Sequence, residues 1–348
     1  MKHISLFFIL MITMCFHSNA QLPIIPKPNK ILYKEGKFTY AKGFDVKIIR
    51  GDYATQALQR NFVEFAKSKK IPIVSFSSTT ITLNLLKEKS DSTLMDAYTM
   101  QITPTSIAIT SSTNAGLFYG IQNLVQIINS DSTKTIACAD ITDEPIFAYR
   151  GFHLDVAHTY ISTTVIKQYI DVMAKLKLNK FQWQLADEKN CAIAFQPNTD
   201  TIAAQNRYSL DEIKDVVKYA GERFITIIPE INLAAITTAN DSNFIYTNET
   251  LGKIIALFPS KQIHLSNSKF IPQSIRSYLA NQSIAVLVRD IAPANNEIYQ
   301  AYNSKKNGIA IAKNGSDVIL SPRDYCSLDF QQDWDDEKSI LYVLPSVR

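Results

Sequence analysis

Residues 149–185 decide the fold: Tyr149–Val156 (YRGFHLDV), Thr163–Leu178 (TTVIKQYIDVMAKLKL) and Lys180–Leu185 (KFQWQL). The first and third segments are short extended runs. The middle one sets Ile166, Ile170, Met173 and Leu176 on one helical face. The same alternation continues downstream. A helix from Ser209 to Arg223 opens with a capping box, Ser209 paired with Glu212. Strands follow at Phe224–Ile231, Gln262–Leu265 and Ile284–Val288, then a helical stretch around Ile309–Lys313, then a strand at Asp317–Leu320. Strand–helix alternation requires a parallel sheet with crossover helices. Seven or so such units predict an α/β fold of the (β/α)8 TIM-barrel type. Residues 145–348 number 204, close to the lower size of about 200 for such a barrel. Ser339–Leu344 is a candidate eighth strand; without it the barrel stays incomplete at its C-terminal end.

Upstream of Pro145 the pattern differs. Phe44–Arg50, Ile81–Leu86, Ala97–Thr103 and Ser106–Ser112 read as strands, and Ala54–Lys69 and Asn114–Asn129 as helices. In the second helix Leu117, Ile121, Leu124 and Ile128 share a face. Residues 21–144 therefore predict a small α+β domain, with residues 145–348 forming the shortened barrel.

The N-terminus starts Met1-Lys2-His3, has an apolar run from Leu6 to Phe16 and closes with Ser18-Asn19-Ala20. That is the pattern of a cleavable signal peptide over residues 1–20, so the mature protein is expected in the periplasm or outside the cell. A lipid-modified start at Cys15 is the alternative, and Met14 before it argues against that. No later segment is apolar for long enough to predict a membrane span.

The net charge is +4, without a basic stripe, which gives nucleic acid no footprint. Cys138, Cys191 and Cys326 remain after processing. They allow at most one disulfide and show no metal-type spacing, so neither a metal nor a cofactor is expected. Oligomeric state is left open.

Function in such barrels sits at the strand ends that face the βα loops. Read in order, these ends offer Arg150 and Asp155, Asp187 and Glu188, Glu230 to Asn232, Ser266 to Lys269, Arg289 and Asp290, Tyr302, and Asp329. Carboxylates and arginine hold hydroxyls, and aromatic faces stack on sugar rings, so the set fits a carbohydrate pocket.

The ordered motifs resemble glycoside hydrolase family 20, the β-N-acetylhexosaminidases, along nearly the whole mature sequence. Ala97-Tyr98-Thr99 and Ala115-Gly116-Leu117-Phe118-Tyr119-Gly120 resemble the accessory domain. Tyr149-Arg150-Gly151 with Leu154-Asp155-Val156 is similar to the first barrel strand, Asn179–Leu185 to the second, and Ile228-Pro229-Glu230-Ile231 to the third. Leu257-Phe258-Pro259-Ser260 with Ile263-His264, and Val318–Pro322 with Leu328-Asp329, match later segments. The resemblance implies substrate-assisted hydrolysis, an exception to the two-carboxylate scheme. An Asp orients the acetamido group and the adjacent Glu protonates the leaving oxygen.

At that pair the sequence departs from the family. The stretch His264-Leu265-Ser266-Asn267-Ser268-Lys269 puts Ser268 in the Asp position and Lys269 in the Glu position. The backing histidine's turn is Ala234-Ala235-Ile236, and the second strand's histidines are Gln182 and Gln184. The family's acetamido-gripping tyrosine falls on Ser327, with Tyr325 in another register, and its two tryptophans fall on Val288 and Tyr302. Arg150, Asp187, Glu230, His264 and Asp329 match. The resemblance implies that Arg150 holds ring hydroxyls and that Tyr302 can stack on a sugar face.

Each residue also has a structural reading. Lys269 is a rim lysine, because an ammonium with a reference pKa of about 10.4 holds its proton too tightly for acid catalysis. Asp187 pairs with a cation, Glu230 is a buried group behind the pocket, His264 is packed in the core, and Gln182-Trp183-Gln184 fills the barrel. No catalytic residue is assigned. Arg150, Asp187, Glu230, Tyr302 and Asp329 are the substrate-binding candidates. The expectation is a hexosaminidase-like protein without its acid, binding N-acetylhexosamine-containing glycans. One alternative is weak or altered hydrolysis of terminal N-acetylhexosamine, with Asp187, Glu188, Glu230 or Asp290 as acid. The other is a structural or interaction role without a glycan.

Overall fold

The computed structural model describes residues 22–87, 96–157, 159–186, 191–195, 207–232, 248–266, 271–294 and 296–328. The protein divides into two compact units. One comprises residues 1–148 with 175–177, the other residues 149–174 and 178–348.

The first unit is a six-stranded mixed sheet with two helices. Its strands are β1 (Lys30–Thr39), β2 (Asp45–Arg50), β3 (Thr80–Leu85), β4 (Tyr98–Ile102), β5 (Ser106–Ser111) and β6 (Thr135–Asp143), in the order β1-β6-β4-β5-β3-β2. Helix α1 (Tyr53–Ser68) starts at Asp52, whose carboxylate accepts from the Thr55 amide at 2.9 Å in a reciprocal capping box. Helix α2 (Asn114–Ser130) buries Leu117, Ile121, Leu124 and Ile128, the face expected from the sequence. Two strands lie where the sequence predicts none. β1 is a sheet edge with eight of its ten residues exposed, and its Lys and Glu side chains hide the alternation. β6 pairs antiparallel with it, Lys30 opposite Thr142 and Thr39 opposite Thr135.

The second unit is a curled sheet of seven parallel strands. They are β7 (Gly151–Asp155), β8 (Lys180–Ala186), β11 (Thr226–Asn232), β12 (Gln262–Ser266), β13 (Ala285–Arg289), β14 (Ile298–Ala301) and β15 (Val318–Leu320). Two-residue strands β9 (Ile193–Ala194) and β10 (Tyr208–Ser209) pair separately. Every neighbour in the seven-stranded sheet is also the next of its strands in sequence, which follows from repeating one βα unit. Among the described residues β7 and β15 are its two edges. The candidate eighth strand, Ser339–Leu344, lies outside the described residues.

Helices connect the strands: α3 (Thr163–Lys175), α4 (Leu210–Gly221), α5 (Asn248–Leu257), α6 (Gln273–Asn281), α7 (Lys305–Lys313) and the single turn α8 (Arg323–Cys326). α3 buries Ile166, Ile170 and Met173, whereas Leu176 lies beyond its last residue and is 37% exposed. α4 has the expected cap: Ser209 Oγ accepts from the Glu212 amide at 3.2 Å, and Glu212 accepts from the Ser209 amide at 2.8 Å. The strand β14 is not located by the sequence, because four residues are too few to show a period. No described helix is long and apolar enough to cross a membrane.

β8 is buried along nearly its full length, as a parallel strand covered on both faces should be. Its residues alternate between those faces. Phe181 stacks on Phe152 and Trp183, with centroids 6.1 and 5.9 Å apart, and Trp183 meets Tyr208 edge-on at 5.1 Å. Gln182 points the other way, into hydrogen bonds with Glu230 and Gln300. The sequence reading of Gln182-Trp183-Gln184 as one filling stripe is thus corrected: Trp183 belongs to the aromatic layer and Gln182 to the polar interior. Phe181→Ala should cost about 3–5 kcal/mol of stability, read as a lower urea midpoint with an unchanged denaturant slope.

Candidate functional site

Parallel pairing sets Glu230 of β11 level with Gln184 on one side and His264 on the other, and sets Arg289 of β13 level with Gln300 of β14. Alternation along each strand turns Gln182, Glu230, His264, Arg289 and Gln300 to one face of the curled sheet, and His153 of the edge strand β7 joins them.

Glu230 is the centre of this group and has no exposed surface. One Arg289 nitrogen, Nη2, lies 2.7 Å from Oε1 and 2.8 Å from Oε2. Gln182 donates to Oε2 at 2.5 Å, and His153 Nε2 lies 3.0 Å from the same oxygen. Because the carboxylate accepts, Nε2 carries the His153 proton. Gln300 Oε1 accepts from Arg289 Nε and from Gln182, both at 3.3 Å, and Gln300 in turn donates to Ser321 Oγ at 2.9 Å. The Tyr302 ring lies 5.1 Å from the Arg289 guanidinium carbon, a cation–π contact.

Burial by itself would raise the Glu230 carboxyl. The neighbouring His264 ring, the His153 hydrogen bond and the Arg289 charge outweigh it and hold the group well below the usual carboxylate range. Burial pushes His264 down to about 4, against the pull of Glu230. His264 is therefore neutral at pH 7, and Arg289 supplies the full positive charge. Burial, then the Glu230 charge, raises the Tyr149 phenol.

These properties limit the chemistry. An anion held below the usual range has no proton to give at neutral pH, and one enclosed by its donors cannot reach a substrate. Glu230 therefore orients Arg289 and His153 and is not a general acid. Asp290 is also engaged. Its Oδ1 accepts from the Tyr302 amide at 3.0 Å and the Tyr299 hydroxyl at 3.3 Å, and its Oδ2 accepts from the Asn303 amide at 2.9 Å. It fixes the turn after β14 and so places Tyr302.

The other sequence candidates divide clearly. Arg150 precedes β7. Its amide donates to the Asn179 side chain, and its carbonyl accepts from the Asn179 and Lys180 amides, at the strand's N-terminal end. The reading that grouped it with the functional strand ends is corrected by that placement. Asp155 ends β7 and accepts from the Ala157 amide at 2.9 Å. Asp187, Glu188, Ser268, Lys269 and Asp329 lie outside the described residues, as does the Ala234-Ala235-Ile236 turn. Tyr325 is 55% exposed. Among the described residues no group of His, Cys, Asp and Glu has the form of a metal site, and Cys138, Cys191 and Cys326 form no disulfide with one another.

Sequence reasoning missed His153 and Gln300. His153 shares the Gly151–Asp155 alternation with Asp155, which was the available signal. Gln300 stands out as a polar residue in the buried run Tyr299–Ala301.

The comparisons with known proteins agree with this architecture. The model of the glycosyl hydrolase family 20 catalytic domain matches residues 147–249, and that of family 20 domain 2 matches residues 21–144. The chain belongs to glycosyl hydrolase family 20. A β-hexosaminidase of Porphyromonas gingivalis is 31% identical over 158 residues, covering 40% of this chain and 20% of that protein. One of Vibrio vulnificus is 26% identical over 251 residues, covering 72% of this chain and 27% of that protein. The matched stretches thus span about a fifth to a quarter of the length of these relatives. The β-N-acetylhexosaminidase structure from Streptomyces coelicolor A3(2) matches with TM-score 0.74 and 20% identity, over 90% of this chain and 78% of that one. A mutant Streptomyces plicatus β-hexosaminidase in complex with N-acetylglucosamine matches with TM-score 0.75 and 21% identity, over 90% of this chain and 77% of that one. These family 20 structures have a TIM barrel preceded by a small domain, and the seven-stranded sheet here is that barrel's plan.

The network sets a pH dependence. His264 and Glu230 both have folded-state values below their ordinary ones, so the unfolded protein takes up protons first. His264's contribution is whole above its ordinary value of 6.5 and is lost as pH falls toward about 4. Glu230's is lost only below its ordinary value of 4.5. The urea midpoint should fall between pH 6.5 and 4, and His264→Gln should flatten that slope. Arg289→Met should cost about 3–5 kcal/mol by stranding the Glu230 charge, and adding Glu230→Gln should recover part of it; both are read by urea unfolding at neutral pH.

Proposed function

We propose that this protein is a family 20 member without hexosaminidase hydrolysis, and that its barrel mouth binds N-acetylhexosamine-containing glycans. The single observation carrying the first half is the pair Ser268-Lys269, standing where the family resemblance places Asp and Glu. A positioned acid contributes roughly 10²–10⁴ in rate, and stabilisation of developing charge a comparable factor. Neither serine nor a lysine of ordinary basicity replaces them. Glu230 and Asp290 do not compensate, since Glu230 is held as a buried anion and Asp290 holds main-chain amides.

The binding half is supported by the ligand of the Streptomyces plicatus relative, which is N-acetylglucosamine, and by Tyr302. This aromatic ring is fixed against Arg289 at the end of β14, where a sugar face can stack on it. Asp187 and Asp329 are the candidate hydroxyl ligands. The signal-like pattern of residues 1–20 supports export, which would bring the protein to extracellular glycans.

The test is paired. Incubation with a nitrophenyl N-acetylglucosaminide should release no nitrophenol above the buffer rate. Release that disappears on substituting Asp187, Glu188, Glu230 or Asp290 would overturn the loss of hydrolysis. Calorimetric titration with N-acetylglucosamine oligomers should show binding, weakened about fivefold in Tyr302→Ala, as a stacking contact of about 1 kcal/mol gives. An absence of heat with every oligomer would remove the glycan and leave a structural role.

A further inference from the structure

The sequence contains two Asn-Gly pairs, Asn307-Gly308 and Asn314-Gly315, and both belong to the α7 region that leads into the edge strand β15. This dipeptide is chemically special because glycine leaves its own amide nitrogen open to the preceding side chain. The fold treats the two pairs in opposite ways.

Asn307-Gly308 lies in the first turn of α7. Gly308 is buried, and its amide donates to the Ser304 carbonyl at 3.2 Å. A methyl group built there would fall 2.6 Å from Ala301 Cβ and 2.7 Å from Leu320 Cδ2, so the helix start is seated on β14 and β15. Asn307 cannot rotate toward the Gly308 nitrogen without unseating that contact.

Asn314-Gly315 closes the same helix. Asn314 is the C-terminal cap at φ −86° and ψ 7°, and both residues are exposed. Gly315 has φ +89° and open space around its Cα. Three main-chain bonds hold the turn: Asn314 N to Ile311 O at 3.1 Å, Gly315 N to Ala312 O at 3.0 Å and a longer one from Ser316 N to Ile311 O at 3.5 Å. Helix ends of this kind open locally at little cost, and opening frees the Gly315 nitrogen.

The geometry points to Asn314 as a site of spontaneous deamidation through a cyclic imide, with Asn307 protected. The Gly315 amide gives its proton to solvent base and its nitrogen bonds to Asn314 Cγ. The Cγ–Nδ2 bond of Asn314 breaks and ammonia leaves. One water then opens the five-membered imide at either carbonyl, giving aspartate or isoaspartate. The net change is one water consumed and one ammonia released.

Either product puts a negative charge at the C-terminal end of α7, where the helix dipole disfavours it. Isoaspartate also adds a methylene to the backbone between α7 and β15. That alters the approach to Asp317, whose carbonyl accepts from the Tyr299 amide at 2.9 Å and ties β15 to β14. The modification therefore acts as a slow, irreversible loosening of the sheet's β15 edge.

The full-length protein held at mildly alkaline pH and body temperature, then digested and mapped by mass spectrometry, tests this. A gain of one mass unit with an isoaspartyl fraction is expected at Asn314, about tenfold faster than at Asn307, the ratio given by ~1.4 kcal/mol of opening free energy. Asn314→Gln should abolish it at that position, because the larger ring closes far more slowly. Hydrogen exchange at the β14 and β15 amides should rise in aged wild-type protein and stay constant in Asn314→Gln. No modification at Asn314, or equal rates at the two pairs, would overturn the assignment. Unchanged exchange in modified protein would overturn the loosening.

Discussion

The interior of the second unit depends on one ion pair, Glu230 with Arg289. A carboxylate with no exposed surface is costly unless its charge is met, and the cost of removing an ion from water amounts to several kcal/mol even after relaxation. Here a single guanidinium nitrogen reaches both oxygens, while Gln182 and His153 complete the donors on Oε2. The pair also links strands that are not neighbours, because β12 lies between β11 and β13. His264 of β12 sits at that crossing and stays neutral, so no second positive charge crowds Arg289. The polar interior thus constrains curvature: the strands must curl far enough for Arg289 to meet Glu230 and for His153 on the edge strand β7 to reach the same oxygen.

Much of this fold is written locally in the sequence. The α3 and α4 faces follow from residue spacing, the Ser209–Glu212 cap from two residue types three positions apart, and the parallel order from strand–helix alternation. What escaped is what local patterns cannot carry. β1 is an exposed edge whose lysines mask its alternation, and its partner β6 lies about a hundred residues away. β14 is four residues long. Helix α6 starts after Pro272 with no hydrogen-bonding cap, so its beginning has no polar signature.

The site was legible in a different way. The substitutions at Ser268 and Lys269 are visible because a motif sets the expectation, and the burial of Glu230 and His264 agrees with the structural readings of those residues. The network that explains Glu230 was not legible. Its partners His153 and Arg289 are 77 and 59 positions away, and only parallel register brings them together. Arg150 shows the converse error: proximity to a strand in sequence does not say which end of that strand a residue occupies.

The proposed loss of an acid and the survival of a barrel are separable because different residues carry them. The aromatic layer of Phe152, Phe181, Trp183 and Tyr208 packs on the face opposite Gln182. Positions that resemble histidine sites in the family hold Gln182 and Gln184, neutral groups that donate and accept without titrating near neutral pH. Such a replacement keeps hydrogen bonds satisfied while removing proton mobility. Glu230 is held as an anion, Arg289 as its cation, and His264 between them as a neutral ring. The arrangement of Glu230, Arg289 and His264 favours a permanent shape, and that supports the proposal of binding without hydrolysis.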